Sequence, residues 1–345
     1  MTDDPFDTDL EALVPKGAAY QPVESSGAPR AYTFILVPGF TLLAFSSAVE
    51  PLRIANQLSQ KPLYRWTLMS KGGVPAVSSS GIEVSVDAPL SVQDKEVRLF
   101  VCAGNPAMAA GDGAVVSAVQ RHHRFGGTVG GICTGAVALA RAGLLDGRRF
   151  TLHWENQPGF CETFPDLMPT PARYEIDARI MTCGGGAAAT DMMLALIAED
   201  HGAAFAAMVS DMCLRPVMAG VDPAQRSSTA AVMTSRSKAV VAAVNLMRAN
   251  IDTPLAIPDI ARAVGCSTRQ LERLFSRHLN DTPGVFYRNL RLDRGRNLLA
   301  TTDLSVAEVC IACGFESTTH FSRTFKARFG IVPTKVLQRP GEAAR

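Results

Sequence analysis

The chain has 345 residues, 47% of them hydrophobic, which is enough for about two domains with substantial cores. No apolar stretch reaches the ~18 residues that a membrane-spanning helix requires. The first 30 residues lack the basic and then apolar pattern of a secretory signal, so we expect a cytoplasmic protein that binds no membrane. The net charge of +2 is uneven: residues 236–345 contain 17 Lys and Arg against 9 Asp and Glu (+8), which leaves 17 against 23 (−6) for the remainder. This asymmetry indicates that the C-terminal part binds a polyanion.

Strand and helix patterns alternate in the first part of the chain. Residues 1–30 are acidic and then rich in Pro, Gly and Ser, and we predict a disordered lead-in there. Strands are predicted at 32–37, 65–69, 97–102 and 128–133, with helices at 42–58, 113–123 and 136–142 and one or two longer helices over 191–212. Continuous apolar strands separated by helices predict a doubly wound α/β domain with a parallel, flavodoxin-like sheet over 31–217. Residues 218–237 are the predicted linker.

Two strand ends in this domain carry small residues that suit a binding site. The run Gly130–Gly135 follows a strand and precedes a helix, which is the layout of a nucleophile elbow that exposes Cys133 at a sharp turn. The run Val101–Asn105 ends another strand and can offer backbone N–H groups to an anion. His153 is the candidate base for the Cys133 thiol.

The C-terminal part, 238–338, is predicted to be helical throughout and contains two similar helix-turn-helix units. In the first unit, Gly265 lies at the turn and Ser267 caps the second helix. The second unit repeats this layout about fifty positions later, with Gly314 at the turn and Ser317 as the cap. A single amphipathic helix pair is common in proteins that bind no DNA. Two pairs with basic outer faces in a domain of charge +8 favour DNA binding.

These units resemble the DNA-binding domain of AraC-type regulators. The similarity spans about Lys238 to Val336 and is carried by Ile260–Phe275 and by the Gly-Phe…Phe-Ser-Arg…Phe-Lys…Phe-Gly…Pro signature within Ala312–Pro333. It implies that both second helices enter successive major-groove segments on one face of the DNA, about 34–36 Å apart. The implied base-edge contacts are Arg269, Glu272, Arg273, Thr318, Thr319, His320 and Arg323. The expected phosphate contacts are Arg288, Lys326 and Arg328.

The first domain resembles the ThiJ/PfpI branch of the class I glutamine amidotransferase-like superfamily. The resemblance is carried by the elbow and by Val37–Asn56, Ala142–Arg148 and His153–Asn156. Together with the AraC-type domain it resembles the GlxA group of regulators, and within that group the regulators that respond to arginine, glycine betaine or carnitine. The resemblance implies a homodimeric transcription regulator of promoter DNA. We predict that it is an activator, which would also contact RNA polymerase.

The elbow differs from that of the active ThiJ/PfpI enzymes. Those enzymes commonly have His directly after the nucleophile, and many relatives hold a Glu on the first helix against the thiol, whereas this chain has Thr134 and Ala44. We therefore predict sensing without catalysis, because catalysis requires the complete geometry. Three alternatives stay open: a Cys-dependent amidase or hydrolase with a DNA-binding appendage, an architectural DNA-binding protein with an inactive sensor domain, and an inert buried Cys133 thiol.

Because ligands of open α/β sheets bind at the carboxyl ends of the strands, we predict one effector cleft there. Its candidate residues are Gly39, Phe40, Thr41, Gly104, Asn105, Cys133, Thr134, His153, Trp154 and Glu155. Trp154 and Glu155 offer an aromatic face and a carboxylate to a quaternary ammonium or guanidinium group, while backbone N–H groups at Thr134 suit a carboxylate. A zwitterionic amine such as betaine, carnitine or arginine fits both ends. Ordinary core packing is the alternative role for Trp154.

The eight cysteines are predicted to be reduced thiols. The single CxxC motif, Cys310–Cys313, falls in an amphipathic helix pattern and lacks the second pair of ligands that a zinc site needs. We expect neither a metal ion nor a cofactor.

Overall fold

The computed structural model describes residues 13–17, 19–23, 27–214, 238–279 and 281–337. The chain divides into two compact units, Met1–Gln225 and Arg226–Arg345. The predicted linker, 218–237, lies outside the described residues. Over the described ranges, no helix combines the length and the apolar character needed to span a membrane.

The first unit alternates strands and helices. Its strands are β1 (Arg30–Leu36), β2 (Tyr64–Ser70), β3 (Ala76–Val77), β4 (Glu83–Val84), β5 (Ala88–Pro89), β6 (Arg98–Ala103), β7 (Thr128–Cys133), β8 (Tyr174–Asp177) and β9 (Ile180–Cys183). Its helices are α1 (Leu42–Ser59), α2 (Gly113–Arg124), α3 (Ala136–Arg141), α4 (Gln157–Thr163), α5 (Ala188–His201) and α6 (Ala203–Met212). The predicted long helical stretch is divided between α5 and α6 at Gly202, whose φ is +88°.

Seven of these strands form one sheet in the order β5-β2-β1-β6-β7-β9-β8. Its pairs are parallel except for β8 with β9. When the five parallel strands β1, β2, β6, β7 and β9 are numbered 1 to 5 in chain order, their order in the sheet is 2-1-3-4-5, as in flavodoxin-like sheets. The predicted fold class is therefore confirmed. Strands β3, β4, β5, β8 and β9 were not predicted, because two to four residues carry too little periodicity.

The sheet is covered on both faces because its strand residues alternate between two cores. Phe34 and Leu36 of β1 face α1, α5 and α6, whereas Ile35 faces α2, α3 and α4. Every residue of β6 is buried, as expected for a central strand of a doubly wound sheet. Because β1, β6 and β7 are parallel neighbours, their carboxyl ends lie side by side.

The described part of the segment 1–30 packs against α1. Gln21 donates its backbone N–H to the Leu58 carbonyl at 2.8 Å, and Asn56 donates a side-chain N–H to the Leu13 carbonyl at 3.2 Å. Ala19 and Val23 contact the core on the α1 side. Two small apolar side chains and the backbone groups around them thus find partners on α1, and the disordered lead-in over 1–30 stays a prediction.

The second unit is helical over its described residues. Its helices are α7 (Lys238–Ala249), α8 (Ile257–Ala263), α9 (Thr268–Leu279), α10 (Pro283–Thr301), α11 (Val306–Ala312) and α12 (Thr318–Phe329). Both predicted turns are confirmed, since Gly265 and Gly314 have φ of +72° and +68°. The predicted caps are also present: Ser267 accepts from the Gln270 N–H at 3.2 Å, and Ser317 accepts from the His320 N–H at 3.4 Å.

Candidate functional site

Helix α9, the second helix of the first helix-turn-helix unit, has one apolar and one basic face. Leu271 and Phe275 are fully buried against α7 and α8. Arg269, Arg273 and Arg277 follow each other at intervals of four residues and are exposed, so they lie on one line along the helix. Arg277 was not among the predicted contacts, although its spacing from Arg273 could have indicated it.

Helix α12 has the same construction in the second unit. Phe321 and Phe325 are fully buried on its inner side. All the predicted base-edge candidates of both units are exposed, namely Arg269, Glu272, Arg273, Thr318, Thr319, His320 and Arg323. The His320 ring contacts the buried Phe315 ring edge-on at 5.8 Å, which restricts where this imidazole can lie on the exposed face.

The three expected phosphate contacts differ in their surroundings. Arg288 and Lys326 are exposed and carry the positive charge that phosphate binding needs. Arg328 instead forms a bidentate ion pair with Asp293 of α10, at 2.8 Å to each carboxylate oxygen. Arg328 is exposed as well, and its ion pair with Asp293 joins α12 to α10; its contact with phosphate stays a prediction.

The elbow in the first unit is formed as predicted. Cys133 has φ of +60°, an unusual value for a residue other than glycine. The turn requires the small residues around it, because a Cβ at Gly135 would lie 2.0 Å from the Val101 carbonyl oxygen and one at Gly131 2.5 Å from the Ala136 nitrogen. The strained backbone at Cys133 is thus held by close packing of β6, β7 and α3.

Loops that follow β1 and β6 meet at this elbow. The Thr134 hydroxyl donates to the Gly104 carbonyl at 2.7 Å, and the Thr41 hydroxyl lies 3.8 Å from the Cys133 sulfur. A Cβ on Gly104 would lie 2.3 Å from the Gly39 carbonyl oxygen, so the two loops are in direct contact. The structure therefore brings together Gly39, Thr41, Gly104, Asn105, Cys133 and Thr134, as the sequence analysis expected.

Two residues predicted at the cleft have buried side chains. Phe40 is fully buried and packs edge-on against Phe45 in the core, with ring centroids 5.7 Å apart. Thr134 is also fully buried, and its hydroxyl donates to the Gly104 carbonyl. The Phe40 side chain therefore belongs to the core, whereas Thr134 was expected to contribute its backbone N–H, and that expectation stays a prediction.

The Cys133 thiol is in its protonated form at neutral pH. Burial raises its pKa above the ordinary value and is the largest effect; the Thr41 hydroxyl and the Thr134 N–H lower it, and the Glu155 carboxylate raises it further. The His153 imidazole, whose pKa is lowered by burial, has its Nδ1 3.9 Å from Glu155. Its ring centroid lies 5.4 Å from that of Trp154, with the two ring planes tilted by 36°. Over 27–214, no hydrogen bond joins His153 to Cys133, so the parts of a nucleophile–base pair are not assembled.

The raised pKa of Cys133 predicts low reactivity. We expect iodoacetamide to modify this thiol at least about tenfold more slowly in the folded protein than in the urea-unfolded chain, because only the thiolate attacks. The rise of this rate with pH should occur at higher pH than in the unfolded chain, since burial raises the pKa of the Cys133 thiol and thiolate formation then needs a higher pH. Mass spectrometry of the peptide that contains Cys133 measures this rate. Modification as fast as in the unfolded chain near pH 7 would contradict the assignment.

One residue beside the cleft was missed. Asn156 ends the short helical turn Trp154–Asn156 and is buried, and its Oδ1 has no hydrogen-bond partner among the described residues. Trp154 is half-buried and Glu155 is exposed next to it, which leaves both accessible to a ligand. A separate cavity of about 240 Å³ between α2 and residues 90–93 contains none of the predicted effector residues.

An elbow-bearing doubly wound domain followed by two helix-turn-helix units with basic exposed faces defines the class of DNA-binding regulators. Residues 33–199 match the DJ-1/PfpI family, and residues 260–339 match the helix-turn-helix domain family. The chain is 43% identical to the HTH-type transcriptional regulator CdhR of Pseudomonas aeruginosa, over 88% of this chain and 90% of that protein. It is 41% identical to the regulator GlxA of Rhizobium meliloti, over 89% and 95%, and 38% identical to GbdR of Pseudomonas aeruginosa, over 88% and 83%.

These similarities extend over nearly the whole length of both partners. The chain therefore belongs to the HTH-type transcriptional regulators that join a DJ-1/PfpI domain to an AraC-type DNA-binding domain. Its predicted family membership is confirmed.

Proposed function

We propose that this regulator binds promoter DNA through α9 and α12 and that a small nitrogenous zwitterion at the Cys133 elbow controls its affinity. The observation that carries the proposal is the pairing of two exposed second helices, α9 and α12, with a Cys133 elbow where the loops after β1 and β6 meet. Among the described residues, no hydrogen bond joins His153 to Cys133 at this elbow. The protein acts in the cytoplasm as a homodimeric activator, and its DNA-bound form contacts RNA polymerase.

The chemistry of the cleft supports a cationic amine with a carboxylate. Glu155 and the half-buried Trp154 together suit a quaternary ammonium or a guanidinium group. The Thr134 N–H, which lies at the Cys133 sulfur, would donate to a carboxylate there. The buried Asn156 Oδ1, next to Glu155 in the chain and without a hydrogen-bond partner among the described residues, would accept a hydrogen bond from a guanidinium or an amine. Betaine, carnitine, dimethylglycine and arginine are therefore the compounds to test.

Control of DNA binding requires that the effector distinguish two states of the protein. A ligand alters DNA affinity only when it binds the DNA-competent conformation with a different affinity from the other one. A tenfold change in DNA affinity corresponds to about 1.4 kcal/mol of coupling between the two sites. The proposed effector site and the helix-turn-helix units lie in different compact units of the chain, so effector binding in one must alter the DNA affinity of the other.

Effector binding is tested by thermal unfolding of the full-length protein with each of the four compounds. A compound present at about 100 times its Kd should stabilise the protein by about 2.7 kcal/mol. Glu155→Gln should weaken that compound by about tenfold or more, because it removes the charge that faces the cation. Glu96→Gln removes an equally exposed carboxylate far from the elbow in sequence and is the matched control. Stabilisation by none of the compounds, or an equal loss in both variants, would contradict the assigned ligand class.

A further inference from the structure

The second compact unit of the chain, Arg226–Arg345, is built from two small hydrophobic cores that share one helix. The first core contains Val244, Ile260, Leu271, Phe275 and, from α10, Tyr287. The second contains Leu292, Leu298 and Leu299 of α10 together with the aromatic residues of α12. Each helix-turn-helix unit thus has its own core, and α10 belongs to both. Because a single helix can bend and twist, α10 alone would not fix the angle between α9 and α12.

A compact junction lies beside α10, where the two helix-turn-helix units meet. The turn of the second helix-turn-helix unit lies very close to the α7–α8 connection: a Cβ on Gly314 would be 2.6 Å from the Ile251 carbonyl oxygen and 2.7 Å from that of Asp252. Gly314 also has φ of +68°, which favours glycine for a second reason. The two helix-turn-helix units therefore touch through their backbones at the Gly314 turn.

At this junction Arg291 of α10 binds the turn of the second helix-turn-helix unit. Its Nε donates to the Cys313 carbonyl at 2.8 Å, and another guanidinium nitrogen donates to the Gly314 carbonyl. The guanidinium also lies over the Phe315 ring, 4.1 Å from its centroid. A charged group that donates two hydrogen bonds and stacks on a buried ring has a well-defined position. Arg291 thereby fixes the turn of the second unit to α10.

Tyr287, one helical turn earlier on α10, binds the first helix-turn-helix unit in a similar way. Its ring is buried in the first core, and its hydroxyl donates to the Asn250 carbonyl and accepts the Leu255 N–H at 3.4 Å. Asn250 and Leu255 flank the segment that packs against Gly314. Residues i and i+4 face the same side of a helix. Tyr287 and Arg291 therefore bind the two helix-turn-helix units to the same side of α10.

We propose that Tyr287 and Arg291 are positioning residues that set the geometry between α9 and α12, so that both can enter the DNA at the same time. Neither residue touches DNA in this role. When two binding units are held at the correct separation, the second binds intramolecularly and adds affinity through its effective concentration. Without the junction each unit keeps its core and its own DNA affinity, but the gain from simultaneous binding is lost. The proposal rests on DNA binding by both units.

The test uses 40-bp duplexes enriched by the wild-type full-length protein from a random pool, and versions in which either protected segment is scrambled. Arg291→Gln should weaken binding to the intact duplex by about 30-fold or more, and binding to the one-segment duplexes by less than about twofold. The slope of log K against log salt should fall toward the one-segment value, because fewer phosphates are contacted. Arg291→Lys, which keeps the charge and one donor, should recover part of the loss.

Two further variants separate this role from general destabilisation. Tyr287→Phe removes only the hydroxyl and should reproduce the loss of the intact-duplex preference. Arg296→Gln removes a similar stacking contact, over Phe329 at 5.1 Å, that lies within the second unit, and it should keep the wild-type preference. If Arg291→Gln is unfolded by circular dichroism, Tyr287→Phe decides the question.

Equal losses on intact and one-segment duplexes, or no loss in either junction variant, would overturn the proposal. A wild-type protein that enriches no duplex would instead contradict DNA binding itself.

Discussion

Replacing Phe321 by alanine is expected to lower DNA affinity to that of the first helix-turn-helix unit alone, while leaving the first compact unit, Met1–Gln225, folded. Phe321 is fully buried in the second core, with its ring centroid 5.2 Å from that of Phe315 and 5.5 Å from that of Phe325. Truncation of a buried phenylalanine costs about 3–5 kcal/mol, and so small a core has few other contacts that can offset this loss. The helix that presents Arg323 would therefore no longer be held in place.

The composition of the chain allows the two units to be followed separately. Both tryptophans, Trp66 and Trp154, lie in the first unit, so intrinsic tryptophan fluorescence reports its unfolding alone. In Phe321→Ala we expect an unchanged fluorescence transition together with a loss of far-UV helical signal. Ile311→Ala is the control, because Ile311 is 72% exposed and its truncation should change stability by less than about 0.5 kcal/mol. Wild-type DNA affinity in Phe321→Ala would contradict the assigned role of this core.

The double replacement of Arg269 and Arg273 by alanine is expected to remove sequence preference at the segment that α9 reads. Both guanidinium groups lie on the exposed line of α9, and a good bidentate contact to a base is worth about 1–3 kcal/mol. Loss of two such contacts predicts a decrease of about 30-fold to 10⁴-fold on the enriched duplex. Binding to random DNA should fall much less, since phosphate contacts supply most of it.

The control for this variant is a third arginine of the same unit. Arg262 on α8 is exposed and paired with Asp259 at 3.0 Å, and Arg262→Ala changes the net charge without altering the exposed line of α9. Competition binding with enriched and random duplexes measures both affinities. An equal loss on the two kinds of DNA would show that Arg269 and Arg273 contribute only charge.

Most of the architecture was predictable because it depends on periodicity. The central strands are continuous apolar runs such as Thr128–Cys133, and each helix-turn-helix unit combines an apolar stripe, a glycine turn and a serine cap. Those signals are local in sequence. The β8–β9 hairpin at the sheet edge was missed because its strands have four residues each, too few for a pattern to be distinguished from chance.

Parts of the sites depend on contacts between distant residues, which a single sequence does not display. Phe40 was assigned to the cleft because it follows a strand end, yet its side chain turns inward to Phe45. Arg328 was assigned to phosphate because it is basic and C-terminal on α12, and its ion pair with Asp293, 35 positions earlier, was not predicted. The junction of Tyr287 and Arg291 likewise joins residues that are 22 to 37 positions apart. In each case the residue type was correct for either role, and only packing distinguishes them.

The most direct test is a hydroxyl-radical footprint of the full-length protein on an enriched duplex, with and without betaine, carnitine, dimethylglycine or arginine. Two helix-turn-helix units that read successive major-groove segments predict two protected segments on one face of the DNA, about 10–10.5 bp apart. One compound is expected to change the protein concentration at which half of this protection is reached. A single protected segment, or a footprint that is the same with every compound, would contradict the account of an effector-controlled regulator with two reading helices.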